Sequence, residues 1–284
     1  MRMSRLLLAA GLLVTAAVAP VAFVVAQVQR RAAGDVQDYL AGPPSLRPPV
    51  VCLGASIVRG RASVDFVQML RERLPERTFV NAGVNGNTVW EVLQRVDEVL
   101  ACEPSDVMIL VGTNDILATL APDGGEKLRD GKHLPTVPSV HDYRTNLDAA
   151  VARLQVAGCR VALASLPPLG QDLEALANHR VREFNEAVVE VALRRGATYL
   201  PVYEPIAHEL MSSGAADGPE WTGTWGPGVE SLTRHFLLGQ SYDEIAQMRG
   251  RVFSPDDVHL DSRGASIIAD AVEAFVREGQ PSTA

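Results

Sequence analysis

Three cysteines in 284 residues, none in a Cys-x-x-Cys pair, leave neither a thiolate zinc cluster nor a disulfide framework to build on. Basic residues are also short. Lys and Arg number 26 against 34 Asp and Glu, for a net charge of −8, which argues against a nucleic-acid partner, because such partners select a basic face. The glycines of 54–60 match neither a Gly-x-Gly-x-x-Gly nor a Walker pattern, so no nucleotide-binding loop is expected there. Internal repeats are absent. Apolar residues are abundant, at 47%, enough for one sizeable core in a single α/β domain with extensions.

The longest apolar run is Leu6 to Ala26, interrupted only by Thr15 and following Arg2 and Arg5. Roughly 21 residues suffice for a helix to span a bilayer core, whereas the apolar part of a secretory signal is usually about 7–15. Residues 1–26 are therefore read as a membrane anchor or signal peptide. Length favours the anchor; Val24-Val25-Ala26 is the cleavage site in the other case. Either way the domain is membrane-anchored or secreted and lies outside the cytoplasm. Residues 27–48, rich in Pro and Gly towards their end, are expected to be a linker.

Val50 to Gly54 is an apolar strand ending in Gly-Ala-Ser. Further strands are expected at Thr78–Val80, Val107–Val111, Val161–Ala164 and Tyr199–Val202, with amphipathic helices between them. That alternation predicts a flavodoxin-like three-layer α/β/α sandwich over 49–279, with a five-stranded parallel sheet in the order 2-1-3-4-5. Two stretches without clear periodicity, 116–142 and 204–250, are expected as insertions bordering the carboxyl edge of the sheet, the second with a short helix near Tyr242–Met248. Cys102 and Cys159 each precede a strand; if those strands are neighbours, an exported domain could join them in a disulfide.

In such sheets ligands sit beyond the carboxyl ends of the strands. Ser56 stands there, either as a helix N-cap or as a nucleophile. A serine nucleophile needs a base, the base needs a group to fix its tautomer, and the reacting acyl oxygen needs hydrogen-bond donors. His259, Asp256 three residues before it, Gly86 and Asn114 supply those parts. Taken singly, each has a plainer reading: a turn glycine at 86, turn caps at Asn114 and Asp115, an N-cap at Asp256, a surface histidine at 259. His133, His141, His179, His208 and His235 lack a matching aspartate and metal-ligand spacing.

Four separated blocks occur in order: Leu53-Gly54-Ala55-Ser56, Asn81-Ala82-Gly83-Val84-Asn85-Gly86-Asn87-Thr88, Gly112-Thr113-Asn114-Asp115 and Asp256-Asp257-Val258-His259-Leu260. Together they resemble the SGNH hydrolases of the GDSL esterase/lipase superfamily. The resemblance implies a serine esterase or lipase acting through an acyl-enzyme on Ser56, with Asp256 and His259 completing the triad. It places Ser56, Gly86 and Asn114 in the oxyanion hole, and it requires neither metal nor organic cofactor. Ala55 departs from the usual Asp of that block, and Asp257 stands where glycine is frequent; Asp115 is assigned to bracing the loop that bears Asn114. The expected substrate is a small-molecule, lipid or glycan ester, with Trp221 and Trp225 lining an acyl groove, stacking on a sugar, or forming a local core. A carbohydrate acetylesterase, an envelope O-acyltransferase and a non-catalytic binding module of the same fold are the alternatives.

Overall fold

The computed structural model describes residues 19–43 and 45–279. Five short strands form its centre: β1 (Val50–Gly54), β2 (Phe79–Gly83), β3 (Asp106–Leu110), β4 (Arg160–Ala164) and β5 (Thr198–Leu200). They pair in parallel in the expected order, β2-β1-β3-β4-β5. Every residue of the first three strands is buried, as strands covered on both faces require. The Phe66–Arg73 helix packs with Ser262–Glu278, and Val140–Val156 packs with Val89–Gln94 and Leu176–Arg195. Leu53, Phe66, Met108, Leu147 and Phe184 are completely enclosed, each stabilising the fold by about 1.5–3 kcal/mol relative to an exposed position.

β2 continues to Gly83 rather than stopping at Val80, because Asn81, Ala82 and Gly83 pair with Cys52, Leu53 and Gly54. The second motif block thus begins inside the sheet. The two insertions are largely helical: Thr113–Leu120 and Gly124–Lys132 in the first, Tyr203–Ser212, Gly226–Leu238 and Tyr242–Met248 in the second. Gly124–Lys132 and Gly226–Leu238 each bury a single small residue, Gly125 and Ser231. Gly124–Lys132 has one large apolar residue, Leu128, and the apolar residues of Gly226–Leu238 stay partly or fully exposed, so neither buries the stripe on which a periodicity reading depends.

The expected linker is also folded onto the domain. Ala32 and Val36 are buried, and Val36–Ala41 is a helix capped by Asp35. Gly34 O accepts from Asn81 N at 3.1 Å and from Arg71 Nη2 at 3.2 Å. Asp35 forms an isolated parallel bridge with Asn81, so this stretch covers the otherwise open edge of β2. The proposed disulfide is not formed. Cys52, Cys102 and Cys159 are free and buried, and the Cys159 thiol donates to Pro104 O at 3.4 Å instead.

Most of the apolar run at Leu6–Ala26 lies outside the described residues; its end is helical, over 19–29. Among the described residues no helix is long and apolar enough to cross a membrane.

The last residue of β1 tolerates no side chain. A Cβ on Gly54 would sit 2.1 Å from Leu110 O and 2.5 Å from Val58 Cγ2. By contrast, Gly131 lies in a helix with nothing within 4 Å of its Cβ position. Gly54→Ala is therefore expected to lower unfolding stability by about 1–3 kcal/mol through overpacking, and Gly131→Ala to raise it by about 0.5–1 kcal/mol through helix propensity. Urea unfolding of both variants checks the pair.

Candidate active site

Beyond Gly54 the chain turns at Ala55 into the short helix Ser56–Arg59. Ala55, not Ser56, is the N-cap residue, and no side chain caps this helix. Ser56 Oγ is therefore not spent on the backbone; it lies 3.0 Å from His259 Nε2. A Cβ on Gly83 would sit 2.2 Å from Arg59 N, so only glycine at the end of β2 lets the serine-bearing helix settle over that strand.

His259 comes from the far end of the chain, on the turn before the last helix. Asp256 Oδ1 accepts from Val258 N (3.1 Å) and His259 N (2.7 Å), while Oδ2 lies 2.7 Å from His259 Nδ1. Asp256, rather than Asp257, is the carboxylate that meets the imidazole. Asp257 takes a left-handed conformation at φ 72°, which accounts for glycine being frequent at this position. Its buried carboxylate is gripped by Arg251, with Nε at 2.5 Å and Nη2 at 3.0 Å.

Burial alone would raise Asp256 and lower His259. The charge and hydrogen bonds each finds in the other, with two backbone N–H groups on Asp256, outweigh that. Asp256 is held below the usual carboxylate range and His259 above 6.5. With a proton on Nδ1 directed at Asp256, Nε2 is left as an acceptor for the serine hydroxyl.

The other two blocks close the site. Asn81 is buried; its Nδ2 donates to Val58 O at 2.8 Å and its Oδ1 accepts from Gly83 N at 3.0 Å. It thereby ties the serine-bearing helix to β2. Gly86 adopts φ 75° in the loop that follows. Asn114, in the first turn of Thr113–Leu120, donates through Nδ2 to Asn87 O at 3.0 Å. That bond uses one amide hydrogen and orients the group, leaving the other available. The Ser56 amide lies in the first turn of its helix, where no intrahelical acceptor exists. The Asp115 carboxylate accepts from Val89 N at 3.2 Å, which ties the loop bearing Asn114 to the start of the Val89–Gln94 helix. Burial pushes its pKa up to about 7.

A groove of about 350 Å³ runs from Asn114 between the two insertions, with Leu117, Ala118 and Leu128 on one wall and Trp221 and Trp225 on the other. Trp221 also packs against the core, whereas Trp225 is 70% exposed. Arg251 carries no motif signal of its own, and Asn81 is marked only by its position at the head of the second block. Among the described residues no group of three or more His, Cys, Asp or Glu side chains is arranged to hold a metal ion.

Residues 52–266 match the GDSL-like Lipase/Acylhydrolase family. The chain belongs to that family. It is a serine hydrolase of carboxylic esters. No curated protein matches it by sequence. Solved structures resemble this GDSL-family enzyme at the level of the fold. A GDSL-like lipase from Bacteroides thetaiotaomicron VPI-5482 superposes with a TM-score of 0.56 at 14% identity, over 86% of this chain and 96% of that one. A catalytic mutant of the acetylxylan esterase Axe2 from Geobacillus stearothermophilus gives 0.56 at 18% identity, over 81% and 93%. The acetyl xylan esterase AlAXEase gives 0.54 at 16%, over 80% and 99%.

The coupling of His259 to Asp256 can be read directly. The imidazole of the native GDSL enzyme is expected to titrate above pH 6.5. In Asp256→Asn the carboxylate's contribution is gone and burial remains, so the titration falls below 6.5. Imidazole NMR across pH 4–9 in both proteins measures the two values, and an unchanged midpoint would contradict this account.

Proposed function

We propose that this enzyme hydrolyses carboxylic esters by acyl transfer to Ser56, with His259 as base and then acid and Asp256 as its orienting partner. The observation that carries the reading is the continuous chain of short contacts, Ser56 Oγ to His259 Nε2 and His259 Nδ1 to Asp256 Oδ2. As Ser56 Oγ attacks the ester carbonyl, its proton passes to Nε2, and the imidazolium that forms is stabilised by the buried Asp256 charge. The amides of Ser56 and Gly86 and the free N–H of Asn114 are the donors for the developing oxyanion. His259 returns the proton to the departing alkoxide, and water then repeats the sequence on the acyl-enzyme.

The acyl portion of the substrate is assigned to the groove beside Asn114, whose walls are mainly apolar. An acyl chain longer than acetyl suits that lining. The second reading is a carbohydrate acetylesterase. It is supported by the exposed indole of Trp225, suited to stacking on a sugar ring, and by two acetylxylan esterases among structures of similar fold. For location, the apolar run at Leu6–Ala26 supports attachment to a membrane or export, with the domain outside the cytoplasm.

Hydrolysis of p-nitrophenyl esters from acetyl to palmitoyl tests the assignment. Ser56→Ala is expected to lose about 10⁴-fold or more in kcat with the fold intact, and Asn114→Ala about 10²–10³-fold. Full activity in Ser56→Ala would remove the nucleophile assignment. Leu117→Trp fills the groove, so it is expected to move the chain-length optimum to shorter esters. A native optimum at acetyl, unmoved by Leu117→Trp, would favour the acetylesterase.

A further inference from the structure

The helix over 19–29 does not hang from the domain. Its terminal carbonyls, which no helix can satisfy internally, are taken up by side chains at the edge of the site. Arg59 Nη2 donates to Gln29 O (2.6 Å) and Arg30 O (2.7 Å), Arg61 Nε to Gln27 O (3.0 Å), and Asn85 Nδ2 to Val28 O (3.0 Å). Arg59 belongs to the helix that begins with Ser56, and Asn85 immediately precedes Gly86. Arg61 also lies over the Phe236 ring at 5.4 Å, and its own carbonyl accepts from Tyr242 Oη at 2.7 Å. The same residue therefore joins the N-terminal helix to the Gly226–Leu238 helix of the second insertion.

Between these two helices lies an apolar groove of about 350 Å³, lined by Pro20, Val24 and Val28 on one side and Val229, Leu232 and Leu237 on the other. Along it Val21 (64%), Val25 (53%), Val229 (62%) and Leu237 (40%) are exposed. Exposed apolar side chains grouped on one face are a feature of surfaces that meet a partner or a membrane.

We propose that these two helices form one surface that seats in the interface of a phospholipid bilayer, holding the edge that carries Ser56 against the membrane and selecting esters embedded in lipid. A bilayer is chosen as occupant because of the sequence that leads into the groove. Residues 19–26 are the last part of the apolar run from Leu6, so a bilayer that takes up that run also meets its final turns. Gly226–Leu238, sharing a groove with those turns, is brought to the same depth. An amphipathic helix with one exposed apolar side binds in that plane. The inference rests on the membrane-attached reading above and deepens the esterase reading by naming the substrate's setting.

The full chain, bound to vesicles of phosphatidylcholine and phosphatidylglycerol, allows the test. The native cysteines are buried, so an environment-sensitive fluorophore can be placed at Leu237→Cys and, as a control on a different exposed surface, at Val156→Cys. Brominated lipid is expected to quench the label at 237 and not at 156. Equal, absent quenching at both in vesicle-bound protein overturns the proposal, as does a chain that does not float with vesicles. Loss of the 237 signal on protein dilution, independent of lipid, overturns it in favour of a second copy in the groove. Val229→Asp combined with Leu237→Asp is expected to lower turnover of a vesicle-embedded ester several-fold and to leave p-nitrophenyl acetate turnover unchanged. A native protein inert on both esters would sink the esterase reading while leaving the quenching result to decide the surface.

Discussion

Ser63 and Leu260 are 197 positions apart in sequence, and their hydrogen bonds hold the site together. The Ser63 hydroxyl donates to Leu260 O at 3.1 Å and accepts from Leu260 N at 2.8 Å, and Val64 N adds a bond to the same carbonyl at 3.0 Å. Ser56 lies on the segment leading into Ser63, and His259 immediately precedes Leu260. A side-chain contact of 3.0 Å between two flexible groups has little lasting precision unless the backbones behind them are fixed to each other. Here the fixing bonds are buried. Leaving one of them unsatisfied would cost about 1–3 kcal/mol, a large share of the stability of an ordinary domain.

The same logic extends outward. The turn carrying Asp256 and His259 is held by Asp257, whose ion pair with Arg251 fastens it to the second insertion. Arg249 reaches both Asp257 (3.5 Å) and Glu230 (3.2 Å), so the Gly226–Leu238 helix is tied to that turn as well. Exposed ion pairs would contribute little. The Arg251–Asp257 pair is different: both side chains are buried, and removing one partner strands a charge in the interior. An insertion that reads as featureless in sequence thus acts as the outer support of the histidine.

The strand order, the buried strands and the residues that meet at the carboxyl edge were legible because each rests on a local signal: apolar runs, turn glycines, motif blocks at strand ends. What was not legible depended on contacts made at a distance. Residues 27–42 are polar and Gly-containing, so composition reads them as linker. They fold because Gly34 and Asp35 find the unpaired edge of β2 at Asn81, and no local pattern announces an empty edge. Of the insertion helices Tyr242–Met248 was legible, whereas Gly124–Lys132 was missed because it is held by contacts such as the ion pair of Lys132 with Glu91, not by a buried apolar stripe. Cys102 and Cys159 lie near neighbouring strands as supposed, yet adjacency in a sheet does not supply the short Cβ–Cβ approach a disulfide needs.

Arg59 shows how these levels meet in one side chain. Among the described residues this buried cation has no carboxylate in ion-pair contact; its hydrogen bonds go to the carbonyls of Gln29 and Arg30. Burial and the nearby Arg61 disfavour its charge and the more distant Asp35 favours it; the carbonyls at the end of the 19–29 helix add direct hydrogen bonds, helped by the negative end of the helix dipole. The dependence runs both ways: the helix terminus needs donors, and the arginine needs acceptors. Detaching the N-terminal helix would therefore leave an under-compensated cation three residues after Ser56. A chain built this way couples the placement of its N-terminal segment to the helix that presents its serine, and a soluble fragment beginning after residue 30 would disturb the site as well as the attachment.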